Sequence, residues 1–121
     1  MKKIKDMKVL IIESDKKLEK EIKKHLRECA DKIYTAPRGV EGLKIINTKN
    51  PDIVIMNLSL NDISGFELCR LIKNNYPVKV ITLTFDNRII SHIRAQQEGA
   101  DASLSLPFRK DELKLTIKKL F

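Results

Sequence analysis

Short apolar runs and amphipathic segments alternate along this chain from one end to the other. The run Val9-Leu10-Ile11-Ile12 contains no polar residue, which is typical of a strand covered on both faces. From Lys16 the apolar residues recur at helical spacing, and Ser14 or Asp15 is a suitable N-cap for that helix. The same alternation predicts strands at 8–12, 32–35, 53–56, 78–83 and 102–106, each followed by a helix.

Five successive strand–helix units predict a doubly wound α/β fold. Right-handed crossovers give a five-stranded parallel sheet in the order 2-1-3-4-5 with five helices on its two faces. The fourth helix is expected to end at Gly99 in a left-handed cap, and the last to span 109–121. The length of 121 residues suits one core, so residues 1–121 are expected to form a single domain.

The chemistry of such a fold lies beyond the carboxyl ends of its strands. The residues there are Glu13, Ser14 and Asp15 after strand one, Asn57 at the end of strand three, Thr84 after strand four, and Leu106 before Pro107 after strand five. A carboxylate at position 57 would hold a cation or accept a phosphoryl group. Asn57 has neither a charge nor a useful nucleophile, so the residue most suited to define the site lacks what phosphoryl transfer requires.

The chain resembles the receiver domains of bacterial two-component response regulators, the CheY-like family of flavodoxin-like fold. The resemblance covers essentially the whole chain and rests on Pro51-Asp52-Ile53-Val54-Ile55-Met56-Asn57, Gly65-Phe66-Glu67-Leu68, Thr84, and Gly99-Ala100-Asp101-Ala102 continuing to Pro107-Phe108. It implies a site in which two acidic residues hold a divalent cation and an aspartate takes phosphate from a histidine kinase. A Thr or Ser and a Lys then bind the phosphoryl oxygens. The resemblance also implies a cis peptide between Leu106 and Pro107.

Most of that machinery is altered here. In this comparison Glu13 holds the first acidic position and Ser14 the second. Asn57 stands at the phosphoacceptor position and Leu106 at the position of the phosphate-binding lysine. Thr84 is retained at the Thr or Ser position, and Ser103 stands where a switch aromatic is common. We therefore expect a degenerate phosphorylation site (Asn57, Thr84, Leu106) beside a degenerate acidic pocket (Glu13, Ser14, Asp15). No catalytic or metal-binding residue, no cofactor, and weak or absent Mg²⁺ binding are expected.

The sequence argues against two other origins of Asn57. An engineered Asp→Asn change would leave the acidic pair and the lysine intact, and here they differ too. Deamidation to an acid is slowed by the bulk of Leu58. Among the remaining candidates, Asp15 is interpreted as an N-cap and Asp62 as a loop residue, and His25 and His92 are interpreted as surface or boundary residues.

The formal net charge is +8. Basic residues concentrate at 16–27 and 109–119, and the first group is interleaved with Glu19, Glu21 and Glu28. Because no aromatic residues accompany the lysines, a solvated helix face is favoured over a nucleic-acid footprint. Cys29 and Cys69 are interpreted as reduced helix cysteines, which with the lack of a signal peptide or a membrane-spanning run predicts a cytoplasmic protein.

These observations favour a phosphorylation-independent, receiver-like signalling module that is not an enzyme. The resemblance implies that it binds a protein partner or a second copy through helix four, strand five and helix five, about Asn87 to Glu98 and Ala102 to Phe121. One alternative is the N-terminal regulatory domain of a DNA-binding transcriptional regulator, contacting DNA through an output domain outside this chain. Another is a residually active phosphoacceptor domain that uses Glu13, Asp15 and Thr84.

Overall fold

Five strands and five helices alternate in the computed structural model, which describes residues 6–27 and 30–121. The strands are β1 (Lys8–Ile12), β2 (Lys32–Ala36), β3 (Ile53–Asn57), β4 (Lys79–Thr84) and β5 (Ala102–Ser105). The helices are α1 (Lys16–Leu26), α2 (Gly39–Lys49), α3 (Gly65–Asn75), α4 (Ile89–Gln97) and α5 (Glu112–Leu120). The predicted helix position of Cys29 lies outside the described residues.

The strands form one parallel sheet in the order β2-β1-β3-β4-β5, which confirms the predicted fold class and strand order. β1 and β3 pair directly, with Ile12 opposite Met56, so Glu13, which follows β1, lies beside Asn57, the last residue of β3. β3 pairs with β4 so that Asn57 lies opposite Leu83. This register gathers the ends of the three central strands at one edge of the sheet.

Two apolar layers cover the sheet. One layer packs α1 and α5 on side chains that include Val9, Ile11 and Ile55. The other packs α2, α3 and α4 on the alternating residues, among them Leu10 and Val54. Neighbouring residues of a strand point to opposite faces, so the continuous apolar runs in the sequence fill both layers. No helix within residues 6–27 and 30–121 combines the length and apolarity that a bilayer crossing needs.

The ends of three helices, α1, α4 and α5, bear on the predicted boundaries. Asp15 is the N-cap of α1, because its side chain accepts hydrogen bonds from the backbone N–H groups of Lys17 and Leu18. Gly99 has a φ of 104° after α4, as its predicted role as a left-handed cap requires. The last helix begins at Glu112 rather than Arg109, because Asp111 has a φ of 60° and interrupts helical geometry there.

β5 also ends one residue earlier than predicted, at Ser105. The backbone N–H of Leu106 still donates to the carbonyl oxygen of Thr84 at 2.8 Å, but Pro107 has no N–H with which to continue the ladder. The peptide bond between Leu106 and Pro107 is cis, which confirms the expectation from the resemblance.

Candidate functional site

Glu13 and Asn57 form a hydrogen-bonded pair at the switch point of the sheet. The Asn57 side-chain amide Nδ2 donates to Glu13 Oε1 at 2.8 Å. Both residues are buried, with 3% and 5% of their surfaces exposed. A hydrogen bond to a charged group in such surroundings is stronger than one in water, because little solvent competes for either partner.

The orientation of the Asn57 amide is determined by its two neighbours. Its Oδ1 accepts a hydrogen bond from the backbone N–H of Ser59 at 2.9 Å, while its Nδ2 faces the Glu13 carboxylate. Rotating the amide by half a turn would place an oxygen against the carboxylate and an NH₂ group against an N–H donor. The donor therefore points at the Glu13 carboxylate.

The second oxygen of Glu13 is also engaged. Glu13 Oε2 accepts from the backbone N–H of Asp15 at 3.0 Å. Burial raises the pKa of the Glu13 carboxyl above its ordinary value of 4.5, and the hydrogen bonds from Asp15 and Asn57 only partly offset that rise. Glu13 is thus a carboxylate held by two donors in a poorly hydrated position.

The remaining members of the predicted site make their polar contacts elsewhere. The Ser14 hydroxyl donates to the carbonyl oxygen of Pro37 at 2.7 Å, toward the loop before α2. Thr84 Oγ1 accepts from the backbone N–H of Asp86 at 2.9 Å, in the loop after β4. Within the described part of the chain, no hydrogen bond joins either hydroxyl to Asn57. The structure therefore joins Glu13 to Asn57 by a hydrogen bond, while the hydroxyls of Ser14 and Thr84 bond to the neighbouring loops.

Leu106 belongs to the apolar layer beneath α5. It is 4% exposed and lies in the same cluster as Leu113 and Ile117. Its outer surface lines a groove of about 390 Å³ between α1 and the loop before α5, whose other lining residues are Asp15, Lys17, Leu18, Glu21, His25, Phe85, Pro107 and Phe108. The position that the resemblance gives to a phosphate-binding lysine is thus part of the core.

The strand-end carboxylates of Glu13 and Asp15 already accept hydrogen bonds from the protein. A divalent cation requires oxygen ligands, and Mg²⁺ usually relies on one or two carboxylates. Both Glu13 oxygens accept hydrogen bonds, the Asp15 carboxylate caps α1, and the Asn57 group that faces Glu13 is an N–H donor. Residues 6–27 and 30–121 include no cluster of three or more His, Cys, Asp or Glu side chains able to hold a metal ion.

Sequence reasoning missed a histidine bridge between α4 and β5. His92 Nδ1 lies 2.6 Å from Ser103 Oγ, and His92 Nε2 lies 3.0 Å from Ser105 Oγ. Ser103 holds the position that the resemblance gives to a switch aromatic, and here a ring from the facing helix contacts it instead. Because side chains alternate along a strand, Ser103 and Ser105 lie on the same face of β5. This spacing was the sequence feature that could have predicted a shared polar partner.

Asp62 and Asp86 also have defined structural roles. The Asp62 carboxylate accepts from the backbone N–H groups of Gly39 and Val40 at 2.9 and 3.0 Å, so it caps α2 from a distant loop, and these bonds lower its pKa. Asp86 accepts from the Arg88 guanidinium and from Ser91 Oγ, and these partners lower the pKa of Asp86. Asp62 is therefore a structural loop residue.

Comparison with known proteins gives a consistent result over the whole fold. The model of the response regulator receiver domain family matches residues 9–118. The heme response regulator HssR of Staphylococcus epidermidis is 34% identical over 109 residues, which are 90% of this chain and 49% of that protein. The chain therefore spans about half the length of the curated relatives it matches.

Solved structures show the same similarity. A two-component response regulator from Clostridium difficile superposes with a TM-score of 0.88 at 27% identity, covering 95% of each chain. The BeF3-activated receiver domain of DrrB superposes with a TM-score of 0.85 at 27% identity, covering 93% of this chain and 95% of that one.

Proposed function

This chain belongs to the response regulator receiver domain family, and we propose that it works without phosphoryl transfer, as a protein-binding module in a two-component-type system. The observation that carries the proposal is the hydrogen bond from Asn57 Nδ2 to Glu13 Oε1. It supplies a neutral donor to the carboxylate that, by the resemblance, would hold a cation. The apo arrangement is then already satisfied and gains little from a metal or a phosphoryl group.

The surroundings support this proposal. Phosphoryl transfer depends on a nucleophile and on cations that neutralise the developing charge. Asn57 is not a nucleophile, and the position of the phosphate-pairing lysine holds the buried Leu106. Thr84 is retained, but its hydroxyl accepts the Asp86 N–H. We therefore propose that the domain is not an enzyme and that it has no resident cofactor.

The proposed binding surface is that of α4, β5 and α5, about Asn87 to Glu98 and Ala102 to Phe121. Its support is the apolar surface on and just before α4, where Phe85, Ile89, Ile90 and Ile93 are 63%, 74%, 63% and 42% exposed. Four large apolar side chains grouped at one helix are unusual on a monomer and typical of a protein contact. We propose a protein partner or a second copy of the chain as the occupant, in the cytoplasm.

A second candidate is the regulatory half of a transcriptional regulator. The relatives in Staphylococcus are about twice as long as the matched segment, which favours a larger protein in which this domain accompanies an output domain. DNA contact through such an output domain is compatible with the first proposal, because the same α4 surface would then transmit assembly rather than phosphorylation. Reporter expression from the complete gene, with and without this domain, tests that role.

The direct test of the main proposal is intact mass spectrometry. The chain is incubated with Mg²⁺ and acetyl phosphate, with a phosphorylatable receiver in the same tube as the positive control. The expected result is that only the control gains the mass of a phosphoryl group. A stoichiometric phosphoryl adduct on this chain, lost on hydroxylamine treatment as an acyl phosphate is, would instead establish the residually active alternative that uses Glu13, Asp15 and Thr84.

A further inference from the structure

The fold brings two basic segments of the chain onto the same face. The first comprises Lys16, Lys17, Lys20, Lys23, Lys24 and Arg27, within and just after α1. The second comprises Arg109, Lys110, Lys114, Lys118 and Lys119, before and within α5. Both helices cover the same side of the sheet, and the rings of His25 on α1 and Phe108 before α5 meet edge to face at 5.0 Å. We call these side chains together the basic face.

The cations of the basic face lack partners. Within residues 6–27 and 30–121, none of their side chains forms an ion pair or a hydrogen bond. Elsewhere Arg38 pairs with Glu41, Arg70 with Glu98, Lys73 with Asp101 and Arg88 with Asp86, and Arg94 lies over the ring of Phe66. Lys32, Lys44, Lys49 and Lys79 also lack an ion pair within the described residues, but they are spread over β2, α2 and β4. The largest group of unpaired cations in the described part of the chain therefore lies on and beside α1 and α5.

The acidic residues of α1 do not neutralise this face. Glu19, which the sequence placed on the solvated side, is in fact buried at 7% exposure, because it lies one turn before the buried Ile22 on the packed side of the helix. Glu21, whose side chain is 56% exposed, lies 3.8 Å from His25, Asp15 is used as the N-cap, and Glu28 lies outside the described residues. Fewer acidic side chains of α1 are therefore available to balance its lysines than the sequence suggested.

We infer that the basic face binds the phosphate backbone of duplex nucleic acid without sequence preference. Lys16, Lys20 and Lys24 follow the i, i+4 spacing, which gives a row of charges about 6 Å apart along the helix. Lysine ammonium groups facing a regularly charged polyanion release its counterions, which is the source of non-specific affinity. The inference is independent of the proposed absence of phosphoryl transfer.

A protein partner suits this face less well. The centres of protein interfaces are depleted of lysine and rich in large apolar side chains. Among the described residues, the exposed Ile89, Ile90 and Ile93 lie on α4, on the other side of the sheet, whereas Phe85 borders the groove beside α1 and Leu115 lies on α5. An anionic membrane is likewise usually bound with inserted apolar groups beside the basic ones. Phosphate contacts require only the charges.

The test is fluorescence anisotropy of a labelled mixed-sequence duplex of about 20 base pairs, titrated with the protein at several KCl concentrations. We expect a Kd on the order of 10 µM at about 50 mM salt, and a slope of log K against log salt of about −4. Because each neutralised phosphate contributes about −0.9 to this slope, a slope of about −4 corresponds to between four and five neutralised phosphates.

Matched charge reversals locate the contact. K20E/K24E on α1 and K118E/K119E on α5 each change the net charge by as much as the control K44E/K49E, whose exposed lysines lie on α2 across the sheet. Each basic-face variant is expected to bind roughly tenfold more weakly and to lose about 2 from the slope, while the control changes less than about threefold. Circular dichroism melting verifies that all three variants are folded.

The opposite results are equally clear. Absence of binding at 100 µM protein and about 50 mM salt would overturn the inference, as would equal losses in all three variants, since only net charge would then matter. Poly-glutamate that displaces the duplex at equal charge would reassign the face to an acidic protein. Tighter binding to phosphatidylserine vesicles than to the duplex would reassign it to a membrane.

Discussion

Asn57 on β3 donates its side-chain amide to the carboxylate of Glu13 after β1, across 2.8 Å at the switch point of the sheet. The pair is self-sufficient, because each polar atom that faces the other has a complementary partner. The resemblance to other receiver domains implies carboxylates that hold a cation between them at these two positions. An amide in place of a carboxylate removes one negative charge and supplies the donor, so the repulsion that a cation would relieve is absent.

Asn57→Asp is therefore expected to destabilise the domain. The new carboxylate would face Glu13 at hydrogen-bond distance with no donor between them, and both residues are buried. We expect a loss of about 1–3 kcal/mol in the free energy of unfolding at neutral pH, measured by urea denaturation, with recovery as the pair takes up a proton in acid. An equally stable variant at neutral pH would contradict the structural role given to the amide.

A double-mutant cycle tests whether the two residues act as a pair. In Glu13→Gln with Asn57→Asp the donor and the acceptor exchange places, so the hydrogen bond is restored in the opposite direction. The loss in the free energy of unfolding of the double variant is expected to be smaller than the sum of the two single losses by more than about 1 kcal/mol. Additive losses would show that each residue acts through other contacts, such as the Asp15 N–H that Glu13 also holds.

The raised pKa of Glu13 has a definite consequence for the pH dependence of stability. The pKa of Glu13 in the folded protein lies above its ordinary value of 4.5, which applies to the unfolded chain. At pH values between the unfolded and the folded pKa, the folded protein therefore binds more protons than the unfolded one. The contribution of Glu13 to the free energy of unfolding then falls as pH rises through that interval. Relative to Glu13→Gln, the wild type and the control Glu67→Gln should lose stability as pH rises from about 4, because the opposite contributions of Asp62 and Asp86 are common to all three proteins.

Leu106→Lys restores the residue type that the resemblance gives to the phosphate-binding position, yet it should not restore a site. The side chain is 4% exposed and packs with Leu113 and Ile117, so the lysine would replace core contacts with a poorly hydrated ammonium group. We expect a loss of about 2–4 kcal/mol by urea denaturation. Leu115→Lys on the 52% exposed surface of α5 is the control, with a change within about 0.5 kcal/mol.

Cys69 should be inert in the folded protein. It is fully buried on α3, and burial raises the pKa of its thiol to about 11, so little thiolate is present at neutral pH. Iodoacetamide is expected to label Cys69 only as fast as the core opens, and at the normal thiol rate in concentrated urea. Peptide mapping reads this residue separately. Rapid labelling of the native chain would mean that α3 opens more readily than its packing indicates.

The fold and the pair at its switch point differ in how readily the sequence predicts them. The apolar runs of β1, β3 and β4 specify buried parallel strands, and strand order then places Glu13 beside Asn57. What the sequence could not supply was the direction of polar side chains. The Ser14 hydroxyl donates to Pro37, which only the fold brings near, whereas the Thr84 hydroxyl accepts from the backbone N–H of Asp86 two residues later, in a local turn. The burial of Glu19 was hidden for the same reason, since it depends on which way α1 turns on the sheet.

The apolar surface of α4 should govern self-association if a second copy is the proposed occupant. Ile89 is 74% exposed and its burial in a contact would remove a large apolar area from water. The net charge of +8 opposes association at low salt, so molar mass by light scattering should rise toward that of a dimer as protein and salt concentrations increase. Ile89→Asp should abolish this rise, whereas Val40→Asp, at a 54% exposed site on α2, should leave it intact. A wild type that stays monomeric at all concentrations, or equal loss in both variants, would rule out a homodimer through α4 and leave a different protein as the proposed partner of that surface.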